Sequence, residues 1–242
     1  MSFSEKIRAF LEEPVHMYQI VESSRIGSHI QKVRVRFDSA LGGPFPVGSY
    51  VQFMIAGKIP RAYSVAESDD QTATFIISFS GMGVGARFFA EAPVGTEVLG
   101  YGPYDDFPYQ AKTQRYKIFL ATGTGVAPFV KMVQLAIKER VPSALLLGSP
   151  EEKDLPYHEY FNQLESKNSK LFVYYPVLSR PPRNWEGGTG YITSYVPEFI
   201  QEAPLQNWDM YICGVPAMID GSEEVVKKMR FPREHVFIQK FG

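Results

Sequence analysis

Two strands that are apolar on both faces constrain this chain most. YKIFLAT (116–122) and SALLLG (143–148) do not alternate, and each is followed by a helical pattern, FVKMVQLAIKER and YHEYFNQLESK. A strand with no polar face must be covered on both sides, and parallel pairing needs a long crossover, usually a helix. KLFVYYPVL, MYICG and AMIDGSEEVVKKMR continue the same alternation. The expected second half is therefore a doubly wound parallel α/β sheet.

The first half has a different rhythm. MYQIVES, HIQKVRVRF, YVQFMI, TATFIISFS and EVLGYG read as short strands between about residues 16 and 101. Val33, Val35 and Phe37 alternate with Lys32, Arg34 and Arg36, and turns are signalled at Gly42-Gly43-Pro44, Pro46-Val47-Gly48 and Pro93-Val94-Gly95. Many short strands without a long helix predict an antiparallel barrel or sandwich. Polar turn-formers in DDFPYQAKTQR mark the change at about 105–115, which divides the chain into expected domains 1–110 and 111–242. Its 242 residues suffice for two cores. At the start, Ile7, Phe10 and Leu11 share one helical face of SEKIRAFLE, predicting a short helix docked on the body.

Charge and cysteine content narrow the chemistry. With 25 Lys and Arg against 26 Asp and Glu, the chain lacks the footprint of a general nucleic-acid binder. A single cysteine, Cys213, excludes an internal disulfide and a self-contained iron–sulfur cluster. His16, His29, His158 and His235 lie far apart, so no metal site is expected. The N-terminal segment is acidic where a signal peptide is apolar, and no apolar run approaches the ~20 residues of a membrane span. The expectation is a soluble cytoplasmic protein.

Three glycine- or arginine-bearing segments are candidate binding sites. Gly123-Thr124-Gly125-Val126-Ala127-Pro128 follows a strand and opens a helix. Its glycines permit close backbone approach to a phosphate, the helix N-terminus offers free N–H groups, and Pro128 suits a first turn. The same hexapeptide also suits a tight turn without a ligand. Arg61-Ala62-Tyr63-Ser64, read as a loop after IAGKIP, combines a guanidinium for a pyrophosphate, a flat ring and a hydroxyl. Alone it is a generic surface tetrapeptide. Gly81-Met82-Gly83-Val84-Gly85-Ala86 precedes a short helix and serves equally as a phosphate cradle or as a turn. After SALLLG, Glu151 and Glu152 stand where a dinucleotide site carries an acid for the ribose hydroxyl, or where a solvated loop carries charge.

In order and spacing these segments resemble the ferredoxin–NADP reductase-like flavoprotein family over about residues 16–242. The signature is Arg61-Ala62-Tyr63-Ser64, followed by the glycine segment ending in ARFF, GTEVLGYGPYDDF, LATGTGVAPF, GSPEEKDLPYHEYF, LSRPPRNWEGGTGYIT, YICGVPAMI and HVFIQKFG. The resemblance implies an FAD-binding antiparallel β-barrel followed by an NAD(P)-binding α/β domain. It implies that Arg61 contacts the FAD pyrophosphate, with Ala62 beside it, that Tyr63 packs on the flavin and that Ser64 lies near flavin N5. Gly83, Val84, Gly85 and Ala86 would hold flavin phosphates, and Gly123 to Pro128 the nicotinamide dinucleotide pyrophosphate. Ser179 and Arg180 match a pair able to bind a 2′-phosphate. Cys213, Gly214, Pro216 and Met218 match the segment that positions the nicotinamide, and Phe241 a C-terminal aromatic near the flavin. Ser64, Cys213 and Phe241 are thus the implied catalytic residues.

The sequence departs from the family at Ala86, often Ser or Thr, at Pro150, often Arg in NADPH users, and at Gln239, often Glu in NADH users. The acids after Pro150 favour NADH over NADPH. The motifs alone do not separate FAD from FMN. The implied activity is electron transfer from NAD(P)H through FAD to a separate protein such as a ferredoxin or flavodoxin, with Lys32, Arg34 and Arg36 as candidates for a basic docking rim. A reductase of free flavins or small acceptors, and a non-catalytic relay subunit of a larger complex, are the alternatives.

Overall fold

A computed structural model describes residues 14–56, 59–81, 83–201 and 203–240; the helix expected over 4–12 lies outside them. Six strands form the first unit: β1 (His16–Ile26), β2 (Ile30–Phe37), β3 (Tyr50–Ile55), β4 (Ile59–Ser68), β5 (Thr72–Ser78) and β6 (Glu97–Tyr104). They close into an antiparallel barrel in the order β1-β2-β5-β4-β3-β6. Closure is made by β1 on β6, with His16 opposite Gly100 and Tyr18 opposite Val98. It leaves no strand edge to be capped.

The alternation in β2 does what a half-buried strand requires: Val33, Val35 and Phe37 are buried. Inside the barrel Phe53 meets Tyr18, Phe75 and Phe89 edge-on, with ring centroids 5.1, 5.1 and 5.3 Å apart. Phe89 comes from α1 (Val84–Glu91), which packs its buried face onto this cluster.

One expectation is overturned here. Arg61 to Ser64 are not in a loop but in β4, paired with β3 through Phe53 opposite Arg61 and Val51 opposite Tyr63. Pro60 and Arg61 break the apolar alternation at the strand's start, so the pairing partner, and not local pattern, makes this segment a strand.

The chain leaves β6 at Tyr104 and enters β7 (Tyr116–Thr122) without an intervening strand or helix. The second unit adds α2 (Ala127–Lys138), β8 (Ser143–Ser149), α3 (His158–Lys167), β9 (Phe172–Leu178), β10 (Gly188–Thr189), α4 (Val196–Ile200), β11 (Trp208–Gly214), α5 (Pro216–Met229) and β12 (Val236–Lys240). The sheet runs β10-β9-β8-β7-β11-β12, parallel throughout. Both faces are covered, as the non-alternating strands demand. Phe119, Leu145 and Leu147 pack with Phe129 and Val133 of α2 and Phe161 of α3. Ile118, Leu120 and Leu146 pack with Val196 of α4 and Met218, Ile219 and Val226 of α5.

The order reverses at β7, with β8 on one side and β11 on the other. Such a switch point opens a crevice at the strands' carboxyl ends. The barrel sits against it. Ile30, Ala66 and Ile76 join the α2 cluster. Lys131 Nζ donates to the Ser68 carbonyl at 2.9 Å and its hydroxyl at 2.7 Å. Ser28 N donates to buried Asp154 at 2.7 Å. No described helix is long and apolar enough to cross a membrane.

Candidate active site

Barrel and sheet together enclose a cleft of about 1020 Å³. From β4 come Ala62, Tyr63 and Ser64; from the sheet's carboxyl edge come Thr122 to Gly125, Ser179 and Arg180, and the segment Cys213 to Met218. The sequence-predicted residues of four distant segments thus share one space.

On the barrel wall, the Tyr63 ring lies edge-on to Phe89, with centroids 5.4 Å apart. Burial pushes its hydroxyl up to about 12, so it stays neutral at physiological pH. Behind it, α1 begins at Gly83 with no side-chain cap, so its first-turn N–H groups stay available. A Cβ at Gly85 would collide with the Tyr63 hydroxyl and lie 3.0 Å from Arg61 Cγ, so only glycine lets α1 come this close. Arg61 is exposed and its Nη1 donates to the Pro60 carbonyl at 2.7 Å. Arg61, Gly83, Val84, Gly85 and Ala86 therefore stand beside Tyr63 but off the cleft wall.

On the sheet side, Gly123–Val126 forms a single 3-10 turn before α2, with Gly123 at φ +52° and Pro128 in the helix's first turn. Gly123, Thr124, Gly125 and Ala127 line the cleft, whereas Val126 and Pro128 are buried away from it. Thr122 Oγ1 accepts from Val215 N at 3.1 Å, tying the end of β7 to the end of β11. A Cβ at Gly214 would collide with that same Oγ1 and lie 2.6 Å from Met218 Cε.

Cys213 is 1% exposed, and burial pushes its thiol up to about 12. The thiolate, the reactive form, is therefore scarce at ordinary pH. Native protein is expected to be inert to a thiol reagent such as DTNB for minutes, and unfolded protein to consume one equivalent; rapid modification of the native chain would contradict this burial.

A polar chain that the motifs did not announce runs under Ser64. Its Oγ donates to Gln239 Oε1 at 3.0 Å, both residues being buried. Cys213 Sγ lies 4.0 Å from the same oxygen, and Gln239 Nε2 donates to Asp106 Oδ1 at 3.5 Å. Asp106 had no local signal, because its contact is made by β12 returning beside β11 from 133 positions later. His29 and Ile77 also line the cleft and carried no motif either, while Tyr191 and Val215 come from the LSRPPRNWEGGTGYIT and YICGVPAMI segments without having been singled out. Phe241 lies outside the described residues.

Just after β8, Glu151 pairs with Lys153 at 2.8 Å and with the cleft-lining Arg180 at 3.8 Å. The Lys153 hydrogen bond, then its charge, holds the Glu151 carboxyl below its usual range. Glu152 faces His158 instead, at 4.0 Å. The expected basic rim on β2 is largely engaged. Arg34 pairs with Asp69 at 2.9 Å and Glu22 at 3.5 Å, and Lys32 lies 4.0 Å from Glu67 and 4.9 Å from the Tyr157 ring centroid. Of the three, Arg36 alone is exposed.

A flavin dinucleotide fits this donor set. An exposed guanidinium and uncapped helix N–H groups stand beside a neutral aromatic ring, and the adjoining cleft has the volume of a cofactor site. Among the described residues no group of His, Cys, Asp and Glu could hold a metal ion.

Residues 119–224 match the family model for an oxidoreductase NAD-binding domain. Ferredoxin–NADP reductase B of Sorangium cellulosum is 27% identical over 209 residues, 81% of this chain and 85% of that protein. Over most of its length the chain is thus similar to ferredoxin–NADP reductase-like proteins. NADH-cytochrome b5 reductase 1 of Mortierella alpina is 24% identical, over 78% of this chain and 65% of that one. The fold of the family is matched across both units. A cytochrome P450 reductase of Amycolatopsis superposes with a TM-score of 0.83 at 23% identity, covering 95% of this chain and 71% of that one. A ferredoxin NADP+ reductase from Neisseria gonorrhoeae, with bound FAD and NADP, gives 0.77 at 17% identity, covering 94% and 99%. Members of this reductase family bind FAD and NAD(P).

Proposed function

We propose that this chain is an FAD-dependent NAD(P)H oxidoreductase that passes electrons to a separate electron-transfer protein of the ferredoxin or flavodoxin type. One observation carries the reading: Tyr63 and Ser64 of the barrel and the Gly123–Gly125 turn and Cys213–Gly214 of the sheet face a single cleft. FAD, when bound, supplies the acceptor for a nicotinamide hydride and the means of releasing electrons singly. The chain supplies position. Arg61 and the first turn of α1 hold a pyrophosphate, Tyr63 offers a flat uncharged wall, and the turn before α2 takes the second pyrophosphate. Gly214 keeps the floor of the cleft open, and buried Cys213 fills space there as a small apolar group. Barrel and sheet packing keeps bulk water from the reacting faces.

NADH is the favoured donor. Glu151 places a carboxylate beside Arg180, where it would both repel a 2′-phosphate and compete for the guanidinium. The NADH-cytochrome b5 reductases among the relatives agree with that choice, and they favour a second reading in which the acceptor is a small haem protein.

Anaerobic addition of NADH to the purified protein is expected to bleach its flavin absorption, faster than NADPH does. A colourless protein, or a flavin that neither nucleotide bleaches, would remove the reductase reading. Arg61→Ala is expected to lose flavin on dialysis, since a charge-assisted phosphate contact is worth about 1.5–3 kcal/mol, or roughly 10- to 150-fold in affinity. Full flavin occupancy in that variant would remove Arg61 from the pyrophosphate site. Steady-state reduction of ferredoxin, flavodoxin and cytochrome b5 separates the acceptors.

A further inference from the structure

The direction of the Ser64 hydroxyl is decided by Gln239 and, through it, by Cys213 and Asp106. Gln239 has one acceptor end and one donor end, and its amide can flip between them. Its carbonyl oxygen faces two donors, Ser64 Oγ at 3.0 Å and the Cys213 thiol at 4.0 Å. Its NH2 faces an acceptor, Asp106 Oδ1, at 3.5 Å. Reversing the amide would turn the carbonyl toward the carboxylate and the NH2 toward the thiol. With the orientation shown, the Ser64 hydrogen is committed to Gln239, and what Ser64 turns to the cleft is a lone pair.

We propose that Asp106 is a positioning residue: it holds the Gln239 amide so that Ser64 meets the cleft as a hydrogen-bond acceptor. This rests on the flavin reading above. An acceptor at that wall favours a ring nitrogen that carries a hydrogen over one that does not, and therefore favours the reduced cofactor over the oxidised one. Loss of the restraint frees the amide to flip, and Ser64 then turns its hydrogen to the cleft and favours the oxidised form. Asp106 itself is exposed, so its replacement leaves the core untouched.

The experiment is a measurement of the midpoint potential of the protein-bound flavin in wild type, Asp106→Ala and Asp106→Asn. Asp106→Ala is expected to lower the preference for reduced over oxidised flavin about fivefold, one net hydrogen bond's worth, or roughly 20 mV for a two-electron couple. The sign is diagnostic. Removing a negative charge by itself stabilises the electron-rich form and raises the potential, so a fall isolates the hydrogen-bond effect. Asp106→Asn keeps an acceptor for the Gln239 NH2 and is expected to show no fall, its potential standing at or slightly above wild type because the charge is gone. In a Ser64→Ala background, Asp106→Ala is expected to produce no fall. A potential that is unchanged or raised in Asp106→Ala, or a fall that survives Ser64→Ala, overturns the proposal. A purified protein that binds no flavin overturns instead the function on which it rests, so the two failures are distinct.

Discussion

Asp209→Leu alone is expected to destabilise the folded chain by about 3–5 kcal/mol, because it strands a buried ammonium. Lys117 and Asp209 sit opposite each other on the neighbouring parallel strands β7 and β11, both fully buried. Their Nζ···Oδ2 distance is 2.6 Å. Lys117 Nζ also donates to Thr113 Oγ1 at 2.6 Å and to the Gln110 carbonyl at 3.2 Å, tethering the segment that joins barrel to sheet. Asp209 Oδ1 has no hydrogen bond but lies 3.4 Å from His235 Nδ1 and 4.0 Å from Arg115 Nη1. Desolvation depresses the Lys117 pKa, which marks how much its charge depends on the partner. Lys117→Met should also destabilise but by less, because Arg115 and His235 remain beside the carboxylate. The double variant Lys117→Met/Asp209→Leu should recover most of the loss, since two apolar side chains leave no orphaned charge. Urea denaturation midpoints measure all three. A single variant within about 1 kcal/mol of wild type would show that water or backbone groups, not the partner, solvate the pair.

Gly125→Ala is expected to slow flavin reduction by NADH roughly 100-fold, the usual consequence of displacing reacting groups by about 1 Å. A Cβ at Gly125 would run into the Cys213 carbonyl and lie 2.6 Å from both the Cys213 carbonyl carbon and Gly214 Cα. All three are backbone atoms, so no side-chain rotation relieves the clash. Either the Gly123–Val126 turn or the end of β11 must move, and these are the two cleft walls proposed to receive the dinucleotide. Arg61, Tyr63 and α1 lie on the barrel, so flavin content should stay near wild type. Stopped-flow reduction beside a flavin titration checks both halves. A wild-type rate would mean that the two walls need not meet so closely.

The two effects differ in how visible they were in the sequence. Gly125 belongs to a strand–turn–helix pattern whose physical meaning is local: glycine before a helix start lets a backbone approach a phosphate. The same holds for the alternation of Val33, Val35 and Phe37, and for the unbroken apolar runs of β7 and β8. Each needs only its own neighbours to be interpreted. Within that hexapeptide the side chains of Val126 and Pro128 are buried, so they serve packing. β4 shows the opposite case. Its Pro60 and Arg61 spoil the pattern, and only hydrogen bonding to β3 makes it a strand.

What the sequence determined by itself was the two-part architecture, the segments that would build a dinucleotide cleft, and the resemblance that ties them to one family. These follow from periodicity and turn chemistry, which act over a few residues. Tertiary structure alone decided the Lys117–Asp209 pair, the engagement of Lys32 and Arg34 by acids, and the Asp106–Gln239–Ser64 chain. Each joins positions 35 to 175 residues apart or on different strands. A side chain's charge or hydroxyl has no fixed meaning until folding chooses its partner. For Ser64, that choice decides which end of an O–H bond the cleft receives.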